Sequence, residues 1–328
     1  MKRSLALVVL VVLAAAATSP VALASALNFG PWTNAVRVED GGGAHSDFNG
    51  AALDGCPFIS RDGKTFFMAS RRLTGPGDAN NDINIWVSSR EGGGEPWGAP
   101  VLVGEPVSID TTAAGAPQVN DFCPTLARDG HSFYFVSNRT TADAAGQLPC
   151  GGDDMYATRL RGDGGWDPVT NLGCDVNTPA NEASPSPLPQ SHSGPVLYFS
   201  STATGLGDIY LSEWHGGRFQ GRQPVAELNT PHVEGQPNVR RDGLEIFFFS
   251  NRPGAISGSN DIYAAARAST ADTWSAPANL GTAVNTSASE TRPSLSWDGT
   301  TLYFGSNRTG GDGDSDHYVT TRVRITGR

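Results

Sequence analysis

Five copies of one strand-turn-strand phrase, each anchored on a proline, predict an all-β fold, a five-bladed β-propeller with four-stranded blades. Five aromatic modules, set out of phase with the prolines, predict a ring closed by the N-terminal strand completing the last blade. The phrase reads most clearly as Arg292 to Gly299 followed by Thr301 to Arg308. Its anchors are Pro57, Pro124, Pro185, Pro237 and Pro293, 52 to 67 residues apart, so some loops are long. Long loops on a rigid scaffold are where function concentrates.

Each unit opens with a hairpin. Asp62-Gly63, Asp129-Gly130, Asp242-Gly243 and Asp298-Gly299 stand between two short apolar runs, with Ser193-Gly194 in the third unit. Asp-Gly is a strong hairpin signal because both residues tolerate positive φ. A Gly/Asn/Asp-rich loop leads to a third strand at Asn84-Ile85-Trp86, Asp154-Met155-Tyr156, Asp208-Ile209-Tyr210, Asp261-Ile262-Tyr263 and Asp316-His317-Tyr318. A fourth strand is expected to begin at each of Trp32, Trp97, Trp166, Phe219 and Trp274. The first module is aromatic and the last unit stops after its third strand. A ring resolves this phase and covers two sheet edges that an open solenoid would leave unpaired.

Met1-Lys2-Arg3, an apolar run from Leu5 to Ala17, and Ala22-Leu23-Ala24 or Ala24-Ser25-Ala26 as cleavage signals predict a secretory signal peptide over residues 1–26. The apolar core is shorter than the roughly 20 residues that span a bilayer. Residues 27–328 then form a single propeller domain, soluble after cleavage and secreted or periplasmic. The formal net charge is −10, more negative still without Lys2 and Arg3, and Lys64 is the only other lysine. So few cations argue against nucleic acid and against membrane insertion.

The run Asp-Gly-x-x-Leu-Tyr-Phe-x-Ser-Asn-Arg, followed by a Gly-rich loop and Asp-Ile-Tyr, resembles the WD-like repeat of TolB-type bacterial propellers over nearly all of residues 28–328. The resemblance implies an exported propeller; relatives serve as periplasmic scaffolds, sensor domains and propeller portions of enzymes. This chain departs from it in counting five blades rather than six, in Ser201-Thr202-Ala203 where the third unit should read Ser-Asn-Arg, and in Ser70-Arg71-Arg72 in the first.

Three residues before each anchoring proline stands a carboxylate: Asp54, Asp121, Glu182, Glu234 and Glu290. On innermost strands these would ring the channel mouth, where they could bind a cation or a polar ligand. Folding each hairpin about its turn instead sets them opposite arginines: Asp54 with Arg71 or Arg72, Asp121 with Arg139, Glu234 with Arg252, Glu290 with Arg308. Ala203 stands where the third unit should have its arginine, which makes Glu182 the catalytic candidate. His232, two residues before Glu234, could join Glu182 and Glu234 as an acid/base or metal site, or be an ordinary surface histidine.

Asp78, Asn80 and Asp82, and again Asp312, Asp314 and Asp316, alternate hard oxygen ligands in turns, so calcium is a candidate cofactor, though no other is required. Aspartate also populates such turns for conformational reasons, and neither loop completes the calcium-hand pattern. Four cysteines in an exported chain predict disulfides. Cys56 with Cys123 and Cys150 with Cys174 is the expected pairing, with Cys123 to Cys150 the rival.

Catalytic signatures such as His-Glu-x-x-His, Gly-x-Ser-x-Gly and phosphate loops do not occur in the sequence. The expected function is a monomeric binding or scaffold protein for a protein, peptide or glycan. The alternative is a carbohydrate-active enzyme, which would need two free carboxylates about 5 to 10 Å apart.

Overall fold

The computed structural model describes residues 28–38, 48–75, 78, 81–112, 115–189 and 194–325. The expected signal peptide, Asn80 and Ser193 lie outside them. Twenty strands form five four-stranded antiparallel sheets. The first blade comprises β2 (Asp54–Ile59), β3 (Thr65–Ser70), β4 (Asn84–Ser89) and β5 (Val101–Leu102). The second runs through β6 (Asp121–Leu126), β7 (Ser132–Ser137), β8 (Asp154–Arg159) and β9 (Thr170–Asn171). The third holds β10 (Glu182–Leu188), β11 (Val196–Ser201), β12 (Asp208–His215) and β13 (Arg218–Pro224), and the fourth β14 (Glu234–Val239), β15 (Glu245–Ser250), β16 (Asp261–Ala266) and β17 (Ala278–Asn279). In the fifth, β18 (Glu290–Leu295), β19 (Thr301–Ser306) and β20 (Asp316–Thr321) are completed by β1 (Val36–Arg37), which pairs Val36 with Val319 and Arg37 with Tyr318. The ring is therefore closed as its phase requires.

The second strands, such as Thr65-Phe-Phe-Met-Ala-Ser70 and Glu245-Ile-Phe-Phe-Phe-Ser250, are apolar on consecutive residues rather than alternate ones. A strand covered on both faces reads this way. The core is divided into five clusters, one at each seam between neighbouring blades. The seam between the last blade and the first packs Tyr303 against Phe66, which in turn packs against Phe48.

Two local expectations are corrected. In the Asp-Gly hairpins only the glycine enters the left-handed region, at φ 69° for Gly63 and 77° for Gly299. The aspartate instead uses its carboxylate as a local acceptor, from Ser60 Oγ and the Lys64 N–H in the first blade. Those bonds hold the Asp62 carboxyl below its usual range. The fourth strands are two residues long in four blades and start four residues after Trp32, Trp97, Trp166 and Trp274. Pro100, Pro168 and Pro277 stand just ahead of three of them, where a missing N–H interrupts the ladder. Only in the third blade, where the turn at Gly216-Gly217 is tight, does the aromatic Phe219 lie within its strand.

Disulfides join Cys56 to Cys123, across neighbouring inner strands, and Cys150 to Cys174, across two loops of the second blade. Among the described residues no helix is long and apolar enough to cross a membrane.

Replacing Cys150 and Cys174 together by serine should cost on the order of 3 kcal/mol, since their bridge closes a 24-residue loop; chemical denaturation of both proteins under oxidising conditions checks it. His317 is fully buried against Phe48 and Phe66 with both ring nitrogens unpartnered, and burial pushes its pKa down to about 3, with the Arg72 and Arg292 charges adding to the shift. The unfolded chain takes up this proton near pH 6.5 and the native one does not. The group therefore costs the fold up to roughly 1.4 kcal/mol per pH unit from 6.5 downward. His317→Phe should accordingly gain melting temperature over the parent as pH falls from 7 to 4, and a pH-independent difference would contradict this account.

Candidate functional site

The inner strands β2, β6, β10, β14 and β18 all begin on one face of the ring. By strand direction, the loops entering each third strand and those crossing between blades lie on that same face. Asp54, Asp121, Glu182, Glu234 and Glu290 open these strands, and all five are 0% exposed. Each carboxylate accepts a backbone N–H from the preceding connection: Gly50, Ile109, Thr178, Thr230 and Thr286 donate at 2.6 to 2.8 Å. In the last three blades the threonine hydroxyl and a serine of the second strand donate as well.

Four of the acids then meet an arginine. Arg72 reaches Asp54 and Arg139 reaches Asp121 at 2.8 Å, while Arg252 and Arg308 reach Glu234 and Glu290 at 3.1 Å. The same guanidinium groups donate to carbonyls of the preceding connection, at Phe48, Val107, Leu228 and Val284. They also lie over the aromatic ring of the third strand, as Arg308 does over Tyr318 at 4.4 Å. Burial pushes the Asp121 carboxyl up, against the pull of Arg139.

Glu182 also has a cationic neighbour, which the repeat does not encode. Arg222 of the outermost strand β13 comes to 3.7 Å and covers Tyr210 at 5.3 Å, as the missing arginine would have done. At that distance it is an ion pair without a hydrogen bond, and the Arg222 Nη1 stays unbonded. His232 sits half-buried with its backbone N–H on Thr230 Oγ1. Among the described residues no hydrogen bond or ion pair joins its ring to Glu182 or Glu234.

The candidate calcium loops differ. Asp78 and Asp82 converge with Asp110, which the sequence did not mark, so that one oxygen of each lies within 4.8 Å of the others. Thr74 and Thr111 also donate to this group. Asp312, Asp314 and Asp316 do not converge: Asp312 pairs with Arg37 at 2.8 Å, Asp314 is exposed, and Asp316 accepts the Asp312 N–H.

A second ring lies on the channel axis. Cys56, Cys123, Ser184, Gln236 and Arg292, each the residue before the anchoring proline, all adopt positive φ between 48° and 56°. A register shift interrupts every inner strand here. All five line one small cavity with their prolines. The pre-proline position was available in the sequence; the left-handed turn that makes it face the axis was not, because residues before proline ordinarily stay extended. The motif Asn-Thr-x-x-x-Glu at Asn177, Asn229 and Asn285 was legible too. Its asparagine clamps both backbone groups of the preceding blade's third strand at Met155, Ile209 and Ile262.

The sequence matches no family model and no curated protein. Its fold is similar to that of the α-L-arabinofuranosidase PaAbf62A of Podospora anserina, with TM-score 0.52, 9% identity, and 89% of this chain and 96% of that one covered. It is similar to the exo-β-1,3-galactanase 1,3Gal43A of Clostridium thermocellum, with TM-score 0.51, 14% identity, 87% of this chain and 61% of that one. A protein designated TolB from Agrobacterium tumefaciens aligns at TM-score 0.46 and 16% identity, over 89% of this chain and 98% of that one. Likeness at these identities bears on the fold alone.

Removing one partner of a buried pair leaves the other charge uncompensated, so Arg252→Met should cost about 3 kcal/mol and Glu234→Gln in the same chain should recover much of it. Arg222→Met, with a longer and partly exposed contact, should cost about 1 kcal/mol. Denaturant titration of the three variants checks both, and equal losses at the two arginines would refute the distinction.

Proposed function

We propose that this chain is an exported, soluble binding or scaffold propeller of the TolB type. Its loop-rich face takes a protein, peptide or glycan, and the protein acts as a monomer. The observation that carries this reading is the engagement of the ring carboxylates: all five are buried and each is held by a backbone N–H and a cation. A glycoside hydrolase needs two carboxyl groups that reach the sugar and exchange protons with it. Glu182 and Glu234 instead hold one blade to the next. Two disulfides support an oxidising compartment.

Calcium is the cofactor this reading takes. Asp78, Asp82 and Asp110 would hold it with hard oxygens at the entrance of the first blade, where it would order the loops of the binding face.

The test is thermal unfolding of the mature protein against calcium, oligosaccharides and peptides. A true ligand at a hundredfold its dissociation constant adds about 2.7 kcal/mol. Calcium should raise the melting temperature of the parent and of Asp314→Asn but not of Asp110→Asn. A peptide or glycan should raise it without being consumed. Hydrolysis of a glycoside, lost in Glu182→Gln, would overturn the binding reading.

A further inference from the structure

The two rings on the inner strands use their positions differently. At the carboxylate ring all five blades do the same thing. At the pre-proline ring the backbone repeats and the side chains do not: two are joined as a disulfide, and the others are serine, glutamine and arginine. The cavity they enclose is about 30 Å³, room for one or two water-sized groups. Its lining includes no carboxylate, and Arg292 is its single charged side chain. In a chain with 33 acidic residues that selection is specific.

Arg292 is accommodated deliberately. A Cβ on Gly55 would come within 2.8 Å of its Nη1, so glycine at the start of the first inner strand leaves the guanidinium its place at the seam between the fifth and first blades. A second arginine faces the same seam. Arg71 stands where Asn138, Asn251 and Asn307 stand in other blades, each accepting a backbone N–H of the connection beside it. Arg72, the next residue, already serves Asp54. The Arg71 Nε is buried with no hydrogen-bond partner. Among the described residues no ion pair or hydrogen bond engages the guanidinium group of either Arg71 or Arg292. Burial and the nearby Arg71 charge hold the Arg292 pKa below its usual value.

The remaining polar side chains of the lining are neutral. The Gln236 Oε1 is occupied by the Arg292 backbone N–H at 2.9 Å, which leaves its amide N–H₂ for the channel, while the Ser184 hydroxyl donates to Cys123 Sγ at 3.4 Å. Two like charges set together in a region of low dielectric repel, and a negative charge between them would turn that cost into attraction.

We propose that the channel at this seam binds a single monovalent anion of chloride or carboxylate size, held by Arg292, favoured by the nearby charge of Arg71 and oriented by the Gln236 amide. The anion is either an inorganic ion that closes the ring electrostatically or the carboxylate of a ligand entering from the loop face. The site does not depend on what that face binds.

The experiment holds ionic strength constant with sodium gluconate, whose anion is too large for the cavity, and replaces it stepwise with chloride or formate. The melting temperature of the parent should rise saturably, with a midpoint in the millimolar range, and the chloride-35 resonance should broaden in its presence. Arg292→Met should abolish both effects and Arg71→Met should weaken binding at least tenfold. Because Arg292→Met removes an unpaired charge, it should melt in gluconate no lower than the parent. Gly55→Ala, which displaces the guanidinium, is the second variant and should lose the broadening. A saturable response to chloride alone identifies an inorganic ion, and one to formate, with or without chloride, identifies a site open to a ligand carboxylate. A linear response shared by the parent and Arg292→Met, with no excess broadening, overturns the proposal.

Discussion

The structure depends on one interaction repeated around the ring: the carboxylate that opens each inner strand binds backward to the connection arriving from the blade before it. Between blades the backbone bonds are isolated, such as the Asp54 N–H to the Ser315 carbonyl, so the seams rest largely on apolar packing and on the polar side chains that cross them. Here the crossing group is charged, fully buried and satisfied from several sides. The arginine that neutralises it also occupies a carbonyl of the same connection and covers an aromatic ring, so a single side chain joins strand, loop and core. A buried charge is costly unless it is paired and hydrogen-bonded, and the geometry meets both conditions.

The third blade shows that the constraint is electrostatic rather than positional. The arginine is missing from its usual place, and another from the far edge of the same sheet extends inward to the same acid and the same ring face. The asparagines preceding the carboxylates complete the seam by holding the backbone of the neighbouring third strand. Ring closure between the fifth and first blades uses the same device, with Asn49 clamping His317. The closing seam is thus built as three of the others are, while at the seam of the first and second blades Ser108 Oγ accepts the Ile85 N–H.

Function has to be sought where the repeat is broken. The ring carboxylates repeat one arrangement in all five blades, each buried beside a backbone N–H and a cation. What varies is the side chain at a backbone turn that all five blades share. Five non-glycine residues at positive φ are held there by the surrounding sheets. The result is a rigid frame that presents disulfide, hydroxyl, amide and guanidinium groups to one small cavity. Similar folds are found in an arabinofuranosidase and a galactanase, and the shared architecture leaves the chemistry of the site to these individual side chains.

Blade number, strand order and ring closure were legible because they follow from the period of the proline and aromatic modules, and the charge pairs because a hairpin about a known turn fixes which residues oppose. The Cys56–Cys123 disulfide was legible because the two cysteines hold equivalent places in adjacent repeats, which left Cys150 and Cys174 to pair in the second blade. The short fourth strands, the rescue of Glu182 by Arg222, the convergence of Asp110 on Asp78 and Asp82, and the place of Arg292 beside Gly55 were not. In each case the partners belong to different modules, and their distance is set by blade curvature and by the left-handed turn before each proline. The repeat and the pairs within it follow from spacing along the chain; which repeat-breaking residues come together does not, because contacts across a seam depend on how whole sheets pack.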